Sequence, residues 1–221
     1  MFNLYILHLF INPHFFFFFL KTATVAILLP NNKLVIGWAG DSMAIVFRPQ
    51  GMIQTDGPCL STRSKKTRPE ILYRLQEHTL FVKKEYDRVI SSGGNIMDCA
   101  SKHPEHRKLT PSNTSTGTIH QRKLAVNMAR AIGHSFLCKY GLIPDPEFSP
   151  EIDVLPGDRL LIASDGLLKN QETVDIASME CEYLKAEAAS VHMVARSLGL
   201  DTKKSYKSDN TTCVCVHFSA G

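Results

Sequence analysis

Two apolar runs joined by a short turn restrict the folds that this 221-residue chain can adopt. Residues 23–29 and 33–38 are rich in Val, Ile and Leu, and Pro30-Asn31-Asn32 separates them. Runs of this length that are bounded by turn residues are typical of β-strands. Two strands joined by so short a turn pair antiparallel, because a parallel partner needs a long crossover. The sequence therefore predicts a β-hairpin over residues 23–38.

The remaining apolar runs predict more strands, with helices between some of them. Strands are expected at residues 43–47, 159–163 and 211–218. Helices are expected at residues 69–78, 85–90 and 171–198. The last helix rests on apolar residues at helical spacing, Val191, Val194, Ala195 and Leu198. The polar segment 95–117 is predicted to be irregular. This order of elements indicates an α+β fold built on antiparallel β-sheets.

Composition and charge exclude several classes of protein. Hydrophobic residues make up 44% of the chain and charged residues 21%, which is ordinary for a globular domain and argues against disorder. The net charge is only +4, and no nucleic-acid partner is expected. Basic residues concentrate at 63–88, which is either a solvated surface or a patch that attracts acidic or phosphorylated partners.

The six cysteines indicate a reducing compartment. They form no C-x-x-C pair, and no pair of histidines lies at zinc-site spacing. Buried free thiols are therefore expected, as in a protein that is not secreted. Because the N-terminus also lacks a convincing secretory signal, a cytoplasmic or nuclear location is predicted.

The first 20 residues differ in composition from the rest of the chain. They contain seven of the twelve Phe and no Asp, Glu, Lys or Arg. A signal peptide would need a basic start, and a membrane anchor would be interrupted by Asn12-Pro13-His14. We favour a third hypothesis, that residues 1–20 are translated non-coding sequence, because a pyrimidine tract before a splice acceptor encodes Phe. No membrane partner is expected unless this segment is a real anchor.

Three aspartates lie where predicted strands begin or end. Asp41 stands between two strands, Asp165 follows the strand at 159–163, and Asp209 precedes the last strand. Each one alone is better explained by a turn or a helix cap, where Asp accepts backbone N–H bonds, than by a metal site. As a set, three carboxylates presented by a rigid sheet could converge on hard divalent cations, which prefer oxygen ligands.

Five segments in order resemble the type 2C, or PPM-type, metal-dependent protein serine/threonine phosphatases. The resemblance runs from about residue 23 to residue 218. It is carried by "LVIGWAGDSMA" at 34–44, by Glu85, Arg88, Val89, Gly93 and Gly94, by "VNMARAIG" at 126–133, by "PGDRLLIASDG" at 156–166 and by "SDNTTCVCV" at 208–216. A single segment of this kind is a weak signal, whereas five in the family's order are specific.

The resemblance implies a fold, a cofactor and an activity. The fold is a sandwich of two antiparallel β-sheets with helices on its outer faces. The cofactor is Mg²⁺ or Mn²⁺, with Asp165 and Asp209 as ligands and Asp41 at the family's weaker third metal position. The activity is dephosphorylation of phosphoserine or phosphothreonine proteins by metal-activated water. No further catalytic or cofactor-binding residue is assigned.

One departure from the family pattern predicts that this chain is impaired. The family's N-terminal Asp-Gly-His-Gly-Gly, whose Asp bridges two metals, has no counterpart in the 221 residues. Residues 21–219 are therefore interpreted as a partial phosphatase domain that is incomplete at its N-terminus. Without the bridging Asp, the remaining carboxylates repel one another and hold metal poorly. The alternative is an inactive pseudophosphatase that acts as a protein-binding module.

Overall fold

A computed structural model describes residues 5–9, 20–50, 68–98, 107–110, 125–133, 135–167, 172–198 and 210–220. The predicted hairpin lies at the centre of the first sheet. Strands β3 (Ala23–Leu29) and β4 (Lys33–Ala39) pair antiparallel, and Asn31 and Asn32 turn between them with φ of 65° and 57°. Asn tolerates this left-handed conformation better than most residues, which explains the tight turn.

Short strands complete this first sheet on both sides of the hairpin. They are β1 (Tyr5–Leu9), which pairs with β3, and β10 (Glu147–Phe148) and β11 (Ile152–Asp153), which both pair with β4. A separate pair joins β2 (Leu20–Lys21) to β9 (Ile132–Gly133). Six residues of the N-terminal segment, 5–9 and 20, thus belong to β-strands, whereas the Phe tract at 15–19 lies outside the described residues. The hypothesis about the origin of residues 1–20 stays a prediction.

Among the described residues, the second sheet consists of β5 (Met43–Arg48), β6 (Glu70–Arg74), β12 (Arg159–Ala163) and β13 (Cys213–His217). These four antiparallel strands lie side by side in the order β13, β12, β5 and β6. The predictions of strands at 43–47, 159–163 and 211–218 are confirmed. Every residue of β12 is buried, as expected for a strand with partners on both edges and packing on both faces.

Alternation along β5 shows how the two sheets and the helices are layered. Ala44 and Val46 belong to the apolar core that includes Ile36 and Trp38 of the first sheet. Ile45 and Phe47, on the opposite face, belong to a second core that the helices cover. Successive side chains of a strand point to opposite faces, so β5 must be apolar on both. The predicted α+β sandwich of two antiparallel sheets with outer helices is confirmed.

Among the described residues, the α-helices are α1 (Lys83–Ser91), α2 (Ser135–Cys138), α3 (Thr173–Glu180) and α4 (Ala186–Ser197). The prediction of α1 is confirmed. The prediction of a single helix at 171–198 is wrong, because α3 and α4 are two separate helices. Buried Arg159 donates to the carbonyl of Glu180, the last residue of α3, and to the carbonyl of Tyr183, which lies between α3 and α4. In α4 the buried residues are Ala189 and Met193, and Val191 is 62% exposed.

Two other local predictions are also wrong. Residues 69–78 contain strand β6 rather than a helix, with Ile71 opposite Phe47 across the sheet. A short apolar run fits either structure, and here the open edge of β5 provides a partner for a strand. The segment 95–117, predicted to be irregular, contains the paired strands β7 (Asn95–Asp98) and β8 (Arg107–Thr110). Among the described residues, no helix is long and apolar enough to cross a membrane.

Candidate metal centre

Strands of the second sheet bring two predicted ligands to one edge. Met43, at the start of β5, lies opposite Ala163, at the end of β12. Asp41 precedes Met43 by two residues, and Asp165 follows Ala163 by two, so both leave the sheet at the same edge. Ala163 also lies opposite Cys213, the first residue of β13. Antiparallel pairing thus gathers the start of β5, the end of β12 and the start of β13.

Asp41 is a buried carboxyl group in an electrostatically unfavourable place. Its side chain accepts a 3.1 Å hydrogen bond from Nδ2 of Asn127, and the residue is 7% exposed. Burial, and then the negative charge of Asp165, raise the pKa of Asp41 to about 7. The Asn127 bond opposes this rise but does not cancel it. The two carboxylates are therefore close enough to repel one another.

Asp165 is exposed and begins the turn Asp165–Leu167. Ser164, the residue before it, ties this turn to the start of β13. Its Oγ donates to the carbonyl of Asn210 and accepts from the N–H of Thr212, both at 3.1 Å. Asp209, the third predicted ligand, lies outside the described residues.

A third carboxylate, which the sequence did not indicate, lies at the same edge. After β6 the chain continues beside the residues that precede β5, because the N–H of His78 donates to the carbonyl of Gly40. Burial raises the pKa of Glu77, Arg74 opposes the rise, and the charge of Asp165 adds to it. The signal was missed because residues 69–78 were predicted to be helical, which gave Glu77 no position relative to Asp41.

The turn that carries Asp41 depends on a glycine. Gly40 has a φ of +122°, and a Cβ at this position would overlap the Thr22 side chain. Gly157 has a similar φ of +95° but open space around it. We therefore expect Gly40→Ala to lower the free energy of unfolding by at least about 1 kcal/mol more than Gly157→Ala. Urea unfolding of both variants measures this difference, and equal losses would show that the Thr22 contact costs nothing.

Another group with metal-ligand chemistry is already neutralised by protein cations. His78, Glu85 and Glu147 bring ligand atoms within 4.8 Å of one another. However, Arg130 donates to both carboxylates, Arg88 pairs with Glu85 at 2.5 Å, and Lys84 pairs with Glu147. Three positive side chains thus surround two negative ones, which disfavours a divalent cation. We interpret this group, with its arginines, as a structural ion-pair network.

The carboxylates at the sheet edge fit a hard cation better. Asp41, Asp165 and Glu77 interact repulsively, and a bound divalent cation would relieve that repulsion. Oxygen donors of this kind are those that Mg²⁺ and Mn²⁺ prefer. The donor chemistry of the described residues is therefore compatible with the predicted metal site.

Comparison with known families decides the relationship. The family model described as "Protein phosphatase 2C" matches residues 21–211. The chain belongs to the protein phosphatase 2C family. The expected kinship with metal-dependent protein serine/threonine phosphatases is therefore confirmed.

Curated relatives agree with this family. The chain is 26% identical over 138 residues to "Probable protein phosphatase 2C 34" of Arabidopsis thaliana, which covers 61% of this chain and 36% of the relative. It is 26% identical over 179 residues to "Probable protein phosphatase 2C 73" of Oryza sativa subsp. japonica, and this match covers 80% of this chain and 37% of the relative. The chain thus spans little more than a third of the length of these relatives.

Solved structures support the fold. The serine-threonine phosphatase 2C from Toxoplasma gondii matches with a TM-score of 0.68 at 18% identity, over 91% of this chain and 59% of that one. A C. elegans sex determining protein matches with a TM-score of 0.60 at 16% identity, over 89% and 40%. These TM-scores establish a shared fold, and at identities this low they assign no role to individual residues of this chain.

Proposed function

We propose that Asp41, Asp165 and Asp209 bind Mg²⁺ or Mn²⁺ as part of a phosphatase that acts on phosphoserine and phosphothreonine in proteins. The observation that carries the proposal is the repulsive pair of Asp41 and Asp165 at one sheet edge. Membership of a metal-dependent phosphatase family supports the same conclusion. Repulsion between the buried Asp41 carboxylate and the charge of Asp165 is unfavourable without a cation, so the arrangement suits a metal site.

The chain's own groups would prepare such a site in specific ways. Asp41 has to be ionised to bind metal, and the hydrogen bond from Asn127 favours that charged form. The bonds of Ser164 to residues 210 and 212 keep the start of β13 beside Asp165. When bound, a divalent cation lowers the pKa of water and offsets the negative charge of a phosphate.

We also propose that the 221-residue chain has low turnover when it is assayed alone. It contains no Asp-Gly-His sequence, so the metal-bridging carboxylate implied by the family pattern has no counterpart. The same observation favours the second candidate function, a protein-binding module that keeps the sandwich. A cytoplasmic or nuclear location remains part of the proposal and is supported by Cys181, Cys213 and Cys215, which are half-buried rather than buried and form no disulfide among the described residues.

Mn²⁺ binding tests the metal site directly. We expect millimolar Mn²⁺ to bind the unmutated chain, as measured by the loss of the free-ion signal in electron paramagnetic resonance. Asp165→Asn should abolish this binding because a neutral amide replaces a charged ligand. Asp153→Asn is the matched control, since Asp153 pairs with Lys33 at the opposite end of β4. Equal binding by all three proteins would contradict the site.

A phosphopeptide assay with Mn²⁺ separates the two candidate functions. Turnover near background, together with Mn²⁺ binding that depends on Asp165, supports the impaired phosphatase. Robust turnover that Asp165→Asn abolishes would contradict the impairment while keeping the site. No Mn²⁺ binding and no turnover would instead favour the binding module.

A further inference from the structure

His78 forms two hydrogen bonds with the residue that precedes Asp41. Its backbone N–H donates to the carbonyl of Gly40 at 2.9 Å. Its side-chain Nδ1 accepts from the N–H of Gly40 at 3.1 Å. Both backbone groups of Gly40 are therefore satisfied by one residue, which is itself 1% exposed. A clamp of this kind fixes the orientation of the peptide that leads into Asp41.

The surroundings of His78 keep its ring in the form that this clamp requires. Because Nδ1 accepts a hydrogen bond, the ring proton lies on Nε2. Burial and then the charge of Arg130 lower the pKa of His78, which favours the neutral ring. Nε2 lies 3.3 Å from Glu147 but makes no hydrogen bond of good geometry. The Trp38 ring stacks parallel to the imidazole, with an interplanar angle of 10°.

The ion-pair network described above lies next to the same ring, since Glu147 belongs to it. Nη2 of Arg130 donates to Oε1 of Glu147 at 2.8 Å, and Lys84 pairs with that oxygen too. The carbonyl of His78 accepts from the N–H of Ala129 at 2.7 Å. A continuous set of contacts thus runs from the network through His78 to the turn that carries Asp41.

We propose that His78 is a positioning residue, whose Nδ1 holds the Gly40 peptide so that the Asp41 carboxylate is placed to bind metal. The effect of His78 on metal binding rests on the proposed function, whereas its effect on the Gly40 peptide does not. His78 touches neither metal nor substrate, so its effect must pass through Gly40. Replacing a residue that orients a metal ligand commonly weakens metal binding by about 10- to 100-fold.

Two variants of the same shape isolate the Nδ1 interaction. His78→Asn keeps an acceptor, because the amide oxygen of Asn can occupy the position of Nδ1. His78→Leu has nearly the same shape as Asn and no acceptor. Both variants lose the stacking on Trp38 and the approach to Glu147, so a merely structural role would affect them alike. Val154→Ala is the control for lost stability, because Val154 contacts Asn32 at the far end of β4.

Hydrogen–deuterium exchange of the peptide covering residues 39–43 is the first measurement, made on the full chain without metal. We expect His78→Leu to exchange there about tenfold faster than His78→Asn. In Val154→Ala, exchange of the 39–43 peptide should change by no more than exchange of other core peptides does. Equal exchange in the Asn and Leu variants would overturn the inference.

Mn²⁺ affinity, measured by electron paramagnetic resonance, is the second measurement. We expect His78→Leu to bind Mn²⁺ about tenfold more weakly than the unmutated chain. The affinity of His78→Asn should be close to that of the unmutated chain. Affinities that are equal in both variants would overturn the role of His78 in metal binding. If the unmutated chain binds no Mn²⁺, the proposed function fails together with this metal step. The exchange result still decides whether His78 holds the turn.

Discussion

Replacing Asp41 with asparagine should make the metal-free protein more stable at pH 8 while weakening its binding of Mn²⁺. Burial and the charge of Asp165 raise the pKa of Asp41 from 3.8 to about 7 in the folded state. Above pH 7 the folded protein therefore holds a buried carboxylate that the unfolded chain would expose to water. Asparagine can keep the contact with Asn127 and carries no charge. The gain can reach about 4 kcal/mol, since each unit of pKa shift corresponds to about 1.36 kcal/mol.

The direction of the pH dependence follows from the protons bound. Between pH 4 and pH 7 the folded protein holds a proton on Asp41 that the unfolded chain has released, so this group's contribution to stability falls as the pH rises. The advantage of Asp41→Asn should therefore be smaller at pH 5 than at pH 8. Urea unfolding in EDTA at pH 5 and at pH 8 measures this advantage in the free energy of unfolding. Asp153→Asn is the control at an exposed position. An advantage independent of pH would contradict the electrostatic explanation.

The sequence predicted those parts of the fold that depend on local patterns. The hairpin at 23–38 follows from two apolar runs and the turn Pro30-Asn31-Asn32, and β12 follows from the short apolar run at 159–163. Both patterns are complete within a few residues. The positions of Asp41 and Asp165 at one edge also followed, because the family resemblance indicated which strands meet.

The errors arise where distant residues decide the local structure. Strand β6 forms because the edge of β5 is open, which its own residues do not reveal. The break between α3 and α4 is fixed by Arg159, some twenty residues earlier in the chain. Periodicity alone placed Val191 on the buried face, although Ala189 and Met193 occupy that face.

The surroundings of the site were even less accessible to sequence reasoning. Asn127 reaches Asp41 across 86 positions, and His78 reaches Gly40 across 38. Resemblance singled out Glu85 and Arg130 in separate segments, but only the structure joins them in one ion pair. Such polar partners have no periodic pattern, because each is selected by a single contact rather than by a repeated face.

Replacing Arg130 with methionine should lower the free energy of unfolding by about 3–5 kcal/mol at pH 7, because it leaves the buried Glu85 carboxylate poorly compensated. Arg130 donates to both oxygens of Glu85, and Glu85 is fully buried. Arg88 remains as a partner of Glu85, so the loss should be closer to about 3 kcal/mol than to about 5 kcal/mol. Urea unfolding of the variant measures it.

Acidification and a double variant distinguish lost charge pairing from lost packing. The arginines outweigh the effect of burial and lower the pKa of Glu85, so its stabilising contribution is present at neutral pH and is lost as the pH falls through the acid range. The penalty of Arg130→Met should therefore shrink near pH 4, where the carboxyl group can take up a proton. Adding Glu85→Leu removes the buried charge itself, so the double variant should be more stable than Arg130→Met alone. A penalty that is unchanged by pH and by the second substitution would mean that the Arg130 side chain stabilises the fold through packing rather than through its charge.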